Sequence, residues 1–412
     1  MASKPHFETD TGKDTMNHLR VSCIALAVAA LAALGAARSA GKDKLPQLYI
    51  DVATHDMAGM PGSGLGRMAM GMFGRGEVRY GMTRAPGMPG QYMDIALHTG
   101  ANPAPEAVQA IPPGLRLGRS LPLLPPPPER KTADHDGGGT GVGDGGDSTS
   151  RILIYWGCGT EVRKGQPREI RISMKNGKAD ISGSMPQGRN APVKAITPGR
   201  EYALWPNERS NKQVPERASL VGDHQVSGPG VPESMRFAVE QAHDFMPKIA
   251  LSSSGGGAAA THLKWTPVER ATGYFLNAMG QRGDAIVMWS SAEMAEPGSG
   301  LMDYLPEATV AKWTREKVLL SPQATECAIP AGIFGEGTGL TQMIAYGPER
   351  HVTWPPKPAK APASWRPEWA LRVRTKSTTM LPAGLSNDGS QEEQSPAEKI
   401  NPAKLLKGLF GR

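Results

Sequence analysis

The sequence predicts a mainly β protein in which β-sandwich units are combined with long disordered segments rich in Gly and Pro. Three observations indicate this fold class. The 412 residues include 50 Gly and 37 Pro, and only 39% are hydrophobic, which argues against one large core. Short strand-like segments separated by turn residues recur after residue 150, a spacing typical of all-β domains. All eight Trp lie between residues 156 and 369, which places the cores in that region.

Residues 1–39 are predicted to be a secretory signal peptide. The apolar run 21–37 follows the basic residue Arg20 and precedes small residues, which is the order of a cleavable signal. The polar residues before Met16 add nothing to such a signal, so Met16 is an alternative start. The run is short and Ala-rich for a bilayer span, and we therefore favour a cleaved signal over a membrane anchor or a buried helix. The expected location is the periplasm or the outer envelope.

Residues 45–118 are predicted to form a short β region. Strand-like segments at 45–55 and 90–98 flank a Met- and Gly-rich loop at 56–89. Residues of both strands alternate between apolar and polar types, so each strand is expected to have an apolar inner face and a polar outer face. The two strands match each other, either through a short duplication or through convergence. Their polar-face residues are Tyr49, Asp51, Ala53 and His55 in the first strand, and Tyr92, Asp94, Ala96 and His98 in the second.

The loop at 56–89 has three interpretations. It is a low-complexity segment, an adaptable protein-contact surface, or a copper site, since thioether and imidazole ligands favour copper. Eight of the 20 Met fall within 57–93. The candidate copper ligands are Met57, Met60, Met68, Met70, Met72, His55 and His98.

Residues 119–150 are predicted to be a disordered linker. The run LPLLPPPPER at 121–130 favours extended polyproline II, and the Gly-rich run at 134–150 favours flexible coil. Residues 151–246 follow as a predicted β-sandwich, because short strand candidates and turn residues alternate along them.

Residues 247–378 resemble a fibronectin type III domain. The segment HLKWTPVERATGYFLNAMG at 262–280 is similar to the second and third strands of that family, and an insert at 292–326 is longer than the usual connection. The resemblance implies an immunoglobulin-like β-sandwich and no particular activity. The matching residues are Leu263, Trp265, Pro267, Val268, Ala271 and Tyr274.

The chain has three cysteines, none of them in a CxxC pair, which excludes a cysteine zinc cluster. Removal of the signal peptide would remove Cys23 and leave Cys158 and Cys327. In an oxidising compartment these two residues are a candidate disulfide pair; the alternative is two thiols buried separately in two different domains.

Residues 379–412 are predicted to be a polar tail that ends in a short amphipathic helix. The apolar residues of this helix face away from Lys404 and Lys407. A helix this short needs a surface, which would be a membrane face, a partner groove or the protein's own domains; disorder is the remaining alternative. The candidate contact residues are Leu405, Leu406, Leu409 and Phe410.

The sequence contains no recognisable catalytic motif. The net charge of +7 is spread along the chain without a nucleic-acid-binding module, so no nucleic-acid partner is expected. We therefore predict a non-enzymatic exported protein that binds or scaffolds a protein partner or envelope component. The alternatives are a periplasmic copper-binding protein that uses the Met-rich loop and a hydrolase whose site is not visible in the sequence.

Overall fold

The computed structural model describes residues 45–58, 78–84, 89–128, 148–175, 178–193, 195–335 and 339–382. Within these ranges the protein is mainly β, as predicted. The signal peptide, most of the Met-rich loop and the C-terminal helix lie outside the described residues. The strands are β1 (Gln47–Met57), β2 (Gly90–His98), β3 (Ala107–Ala110), β4 (Ser120–Leu123), β5 (Ser148–Trp156), β6 (Arg168–Lys175), β7 (Lys178–Ser182), β8 (Tyr202–Trp205), β9 (Gly222–Ser227), β10 (Arg236–Val239), β11 (Leu251–Gly255), β12 (Thr261–Trp265), β13 (Gly273–Arg282), β14 (Ala285–Ser290), β15 (Glu326–Ile329), β16 (Gly339–Trp354) and β17 (Trp369–Pro382).

The described residues contain one α-helix, α1 (Glu307–Arg315), which lies in the insert predicted at 292–326. Pro306 precedes it, and Lys312 and Arg315 lie in its last turn, where cations interact favourably with the helix dipole. Three short 3₁₀ helices accompany it: Pro113–Leu115, Gln241–His243 and Ser299–Leu301. No helix in this part of the chain is both long and apolar enough to cross a bilayer.

A ten-stranded sheet organises the molecule, in the order β7-β6-β5-β14-β13-β16-β17-β1-β2-β8. Two pairs are parallel, β1 with β17 and β14 with β5, and the other pairs are antiparallel. The strands come from 45–118, 151–246 and 247–382, so this sheet crosses the region boundaries predicted from the sequence.

Two smaller sheets cover one face of the large sheet. The four-stranded sheet β10-β9-β3-β4 lies over β8, β2, β1 and β17, and its core includes Ile50, Trp205 and Val373. The three-stranded sheet β11-β12-β15 shares a second core with β5, β14, β13 and β16, around Trp265 and Ala345. Both cores lie on the same face, because Ala345 pairs with Ser377, four residues after Val373 on β17. The result is a sandwich-like arrangement of sheets.

The segment that resembles a fibronectin type III domain forms two packed layers of β-strands. β11, β12 and β15 face β14, β13, β16 and β17, and the second core lies between them. Trp265 and Tyr274 pack edge to face there, with ring centroids 5.7 Å apart, and the Tyr274 hydroxyl accepts a hydrogen bond from the Val268 N–H. These aromatic rings therefore fill the core.

A disulfide joins Cys158, which follows β5, to Cys327 in β15, with Cα atoms 5.1 Å apart. It ties the edge of the three-stranded sheet to the large sheet. Backbone hydrogen bonds from Gly159 to Ala328 and from Ala331 to Thr160 flank it.

The linker prediction is wrong at both ends of 119–150. Residues 120–123 form β4, and β5 begins at Ser148; residues 129–147 lie outside the described residues. Leu121 and Leu123 are buried in the first core. The burial of these alternating side chains stabilises a strand here despite the neighbouring prolines. Pro122 is tolerated because β4 is an edge strand of its sheet. The tail also begins later than predicted, because β17 continues to Pro382.

The prediction of a polar outer face on β1 and β2 is also wrong. Asp51, His55 and Asp94 are each 2% exposed, and the face that they share is buried. Residues 81–84 contact the side chains of this face, and Tyr304 packs against Arg374 of the adjacent strand β17. Both faces of the two strands are therefore covered, which the alternation of residue types does not reveal.

Candidate functional site

A buried network of charged side chains occupies this second face of the sheet, and Asp51 is its centre. The parallel register places Asp51 beside Arg374. Arg374 donates two hydrogen bonds to the carboxylate, from Nε to Oδ1 at 2.8 Å and from Nη2 to Oδ2 at 2.7 Å. Arg84 donates a third, from Nη2 to Oδ2 at 2.6 Å, and Nη2 of Arg372 lies 3.9 Å from Oδ1. Burial raises the pKa of Asp51, but the charge of Arg374 and its hydrogen bonds outweigh this and lower it.

Residues 302–304 complete the network from the insert that follows β14. Nε of Arg84 lies 3.4 Å from Oδ1 of Asp303. Nζ of Lys376, which is 1% exposed, lies 4.0 Å from the same oxygen and donates to the Met302 carbonyl. The Tyr304 ring stacks against Arg374 and Lys376, with each cationic group 4.6 Å from the ring centroid. Burial lowers the pKa of Lys376 to about 8, although Asp303 opposes the shift.

Asp94 lies beside Asp51 on β2 and is held by the turn at residues 81–84. Its carboxylate accepts hydrogen bonds from the Gly81 N–H at 3.0 Å and from the Thr83 N–H and hydroxyl. Burial raises the pKa of Asp94 to about 6, although these hydrogen bonds act in the opposite direction. Asp94 therefore fixes the turn that delivers Arg84 to Asp51.

His55 closes the network at the end of β1. Its Nε2–H donates to the Met82 carbonyl at 3.0 Å, so Nδ1 accepts from the Thr378 hydroxyl at 2.6 Å. Burial, and next the charge of Lys376, lower the pKa of His55 to about 4. The imidazole is therefore neutral above that pH.

We expect Asp94 and His55 to have opposite effects on stability between pH 4 and pH 6.5. The raised pKa of Asp94 gives stability that is present below pH 3.8 and is lost as the pH rises through about 6. The lowered pKa of His55 gives stability that is present above pH 6.5 and is lost as the pH falls through about 4. The slope of the unfolding free energy with pH should therefore be more positive in Asp94→Asn than in wild type. In His55→Gln this slope should be more negative than in wild type.

Urea unfolding at half-unit pH steps measures these slopes. Asp284→Asn, which removes an exposed carboxylate, is the control and should keep the wild-type slope in that range. Slopes that change in the same direction in Asp94→Asn and His55→Gln would contradict the two assignments.

The network satisfies its carboxylates but not all of its donors, because Nε of Arg84 and both Nε and Nη2 of Arg372 are buried without a hydrogen-bond partner among the described residues. The carboxylates of Asp51 and Asp94 are saturated by donors from the chain, and their side chains are buried. Two surface depressions of the described residues lie elsewhere, one beside Lys317 and the other beside Val108. Among the residues that the structure describes, no cluster of three or more His, Cys, Asp or Glu could hold a metal ion. The geometry suits a structural ion-pair network.

An exposed apolar surface lies on the same face of the large sheet, at its other half. Met279 and Ile286 are 41% and 44% exposed, and Met288, Ile152 and Leu340 are half-buried. The five side chains share one face, because Leu340 pairs with Met279, Met279 with Met288, and Ile286 with Ile152. We call this surface the outer patch. Such a cluster is typical of an interaction site.

The structure separates the two histidines of the copper hypothesis. His55 pairs with Gly90, whereas His98 pairs with Gln47 at the far end of the same two strands. Eight residues of strand place them about 27 Å apart, so they cannot ligate one ion. Met57 lies in β1 and is half-buried. The other candidates, Met60, Met68, Met70 and Met72, lie outside the described residues, as do Leu405, Leu406, Leu409 and Phe410.

Sequence reasoning missed the basic half of the network. Arg372, Arg374 and Lys376 recur at every second position of the last strand, with the same spacing as Tyr49, Asp51 and Ala53 in β1. That signal was available in the sequence. Nothing local marked Arg84 or Asp303, which reach the network from connecting segments.

No protein-family model, curated protein or solved structure matches the chain.

Proposed function

We propose that the protein is an exported, non-enzymatic binding or scaffolding module that contacts a protein partner through the outer patch. The observation that carries the proposal is the outer patch itself. Its five apolar side chains lie together on one face of the sheet, and Met279 and Ile286 are exposed to solvent. Three strand spacings of about 4.8 Å give the patch a width of about 14 Å. That is the length of a helix of about nine residues, so the patch fits a short apolar segment of a partner.

The internal pairing of the charged network supports a non-enzymatic role. A general acid, a general base or a nucleophile must reach a substrate. Here Asp51, Asp94 and His55 are each held by other groups of the chain and are buried.

The disulfide between Cys158 and Cys327 supports export, because disulfides persist in oxidising compartments such as the periplasm. The layer pair formed by β11, β12 and β15 against β14, β13, β16 and β17 supports a fibronectin type III-like domain. Seven strands in two antiparallel sheets also make up the constant-type immunoglobulin sandwich.

Pull-down from envelope fractions tests the proposed function. We expect Ile286→Asp to lose a captured protein that wild type retains, because a charge at the centre of the patch must be desolvated on binding. Val108→Asp is the matched control, since Val108 is 43% exposed and Ile286 is 44% exposed, and Val108 lies in the four-stranded sheet. The same captured proteins with all three chains would overturn the proposal, provided that the two variants unfold at the wild-type urea midpoint.

A further inference from the structure

The described part of the chain ends beside the outer patch. Pro382, the last described residue, pairs with Leu340 at the end of β17. Leu340 belongs to the patch and pairs in turn with Met279, so the end of β17 lies one strand from the patch. Residues 383–412 continue from this point.

The following segment has the composition that the patch would bind. If residues 402–410 are helical, Leu405, Leu406 and Leu409 lie on one side with Phe410, and Lys404 and Lys407 lie on the other. Nine residues of helix span about 14 Å, which equals the width of the patch across four strands. An isolated helix of this length is marginal, so it gains stability from an apolar surface.

The connection is long enough to allow this contact. Residues 383–401 can extend over about 60 Å, whereas the far edge of the patch lies only about 19 Å from Pro382 across four strand spacings. Because the segment is tethered at the edge of the patch, its effective concentration there is high, in the millimolar range for a flexible connection.

We propose that residues 402–410 dock on the outer patch through Leu405, Leu406, Leu409 and Phe410. The inference rests on the proposed function in one respect: a partner that binds the patch must displace this segment.

One other segment of the chain fits less well. Residues 59–77 leave β1 near Met380, where the Ala58 N–H donates to the Met380 carbonyl, but they are Gly-rich and have no sustained apolar period.

The oxidation rates of the two methionines in the patch measure whether the patch is covered. We expect Met279 and Met288 of the full chain to react slowly with hydrogen peroxide, because the docked segment excludes the oxidant. Leu405→Glu/Leu409→Glu should increase both rates several-fold, since carboxylates cannot dock on apolar side chains. The matched control Lys404→Gln/Lys407→Gln changes the opposite side of the segment and should keep the wild-type rates. Met235, which is fully buried, should react slowly in every chain and reports that the fold is intact.

The alternative outcomes overturn the proposal. Equal and fast oxidation in all chains would mean that the patch is uncovered, and equal and slow oxidation would mean that another occupant covers it. Slow oxidation that depends on protein concentration would identify a second copy. This test uses purified chain without a partner, so its failure leaves the pull-down with Ile286→Asp unaffected. If both proposals hold, Leu405→Glu/Leu409→Glu captures more partner than wild type.

Discussion

Asp51→Asn is expected to lower the free energy of unfolding by about 4 kcal/mol, because removing one member of a buried ion pair leaves an uncompensated charge. Asp51 is 2% exposed and receives both hydrogen bonds of the Arg374 fork together with one from Arg84. Arg372 also lies 3.9 Å from its carboxylate. The substitution keeps the size of the side chain but leaves these buried guanidinium groups without an anion. Urea unfolding at pH 7, followed by Trp fluorescence, measures the loss.

Asp284→Asn is the matched control for this prediction. Asp284 also accepts two hydrogen bonds from one arginine, Arg151, but the two side chains are 55% and 37% exposed. Water replaces the lost contacts there, so no measurable change in the urea midpoint is expected. A loss in Asp51→Asn no larger than that in Asp284→Asn would show that the buried network does not depend on its central carboxylate.

Cys158→Ala/Cys327→Ala is expected to lower the free energy of unfolding by about 3–5 kcal/mol. The two cysteines are 169 residues apart in sequence, and a crosslink that closes a loop of that length restricts the unfolded chain strongly, by about 5 kcal/mol in the chain-entropy model. Loss of the bond also frees β15, an edge strand of the three-stranded sheet, from the end of β5.

Reductant supplies the control for the disulfide. Wild type unfolded in urea with reductant should behave like the double variant, and the variant itself should not respond to reductant. A wild-type urea midpoint that is the same with and without reductant would contradict the prediction. Alkylation of denatured wild type before and after reduction gives an independent readout, because the masses should differ by two alkyl groups.

The alternation of residue types predicted the strands well. The segments 45–55 and 90–98 were identified as strands, and β1 and β2 occupy Gln47–Met57 and Gly90–His98. Trp265 and Tyr274, two of the residues that carry the fibronectin type III resemblance, lie together in a core. These features depend on local pattern, since a period of two defines the faces of a strand wherever it lies.

The burial of the polar face of β1 depends on segments that are distant in sequence, and the local alternation of residue types does not reveal them. Asp51 and Arg374 are 323 residues apart and meet only because β1 pairs with β17 in parallel. Arg84 and Asp303 reach them from connecting segments. Alternation indicates two chemically different faces, but burial of the polar face depends on whether distant residues supply matching charges, so that the cost of desolvation is repaid.

The sequence by itself determined the β character of the protein, the division of its strands into two chemically different faces, and the one pair of cysteines that would remain after removal of the signal peptide. Only the tertiary structure decided that strands from three predicted regions share one sheet, that a polar face is buried as an ion-pair network, and that five apolar side chains form the outer patch, two of them exposed and three half-buried. Strand alternation is a local property of the chain, whereas these three outcomes depend on pairing between strands that are far apart in sequence.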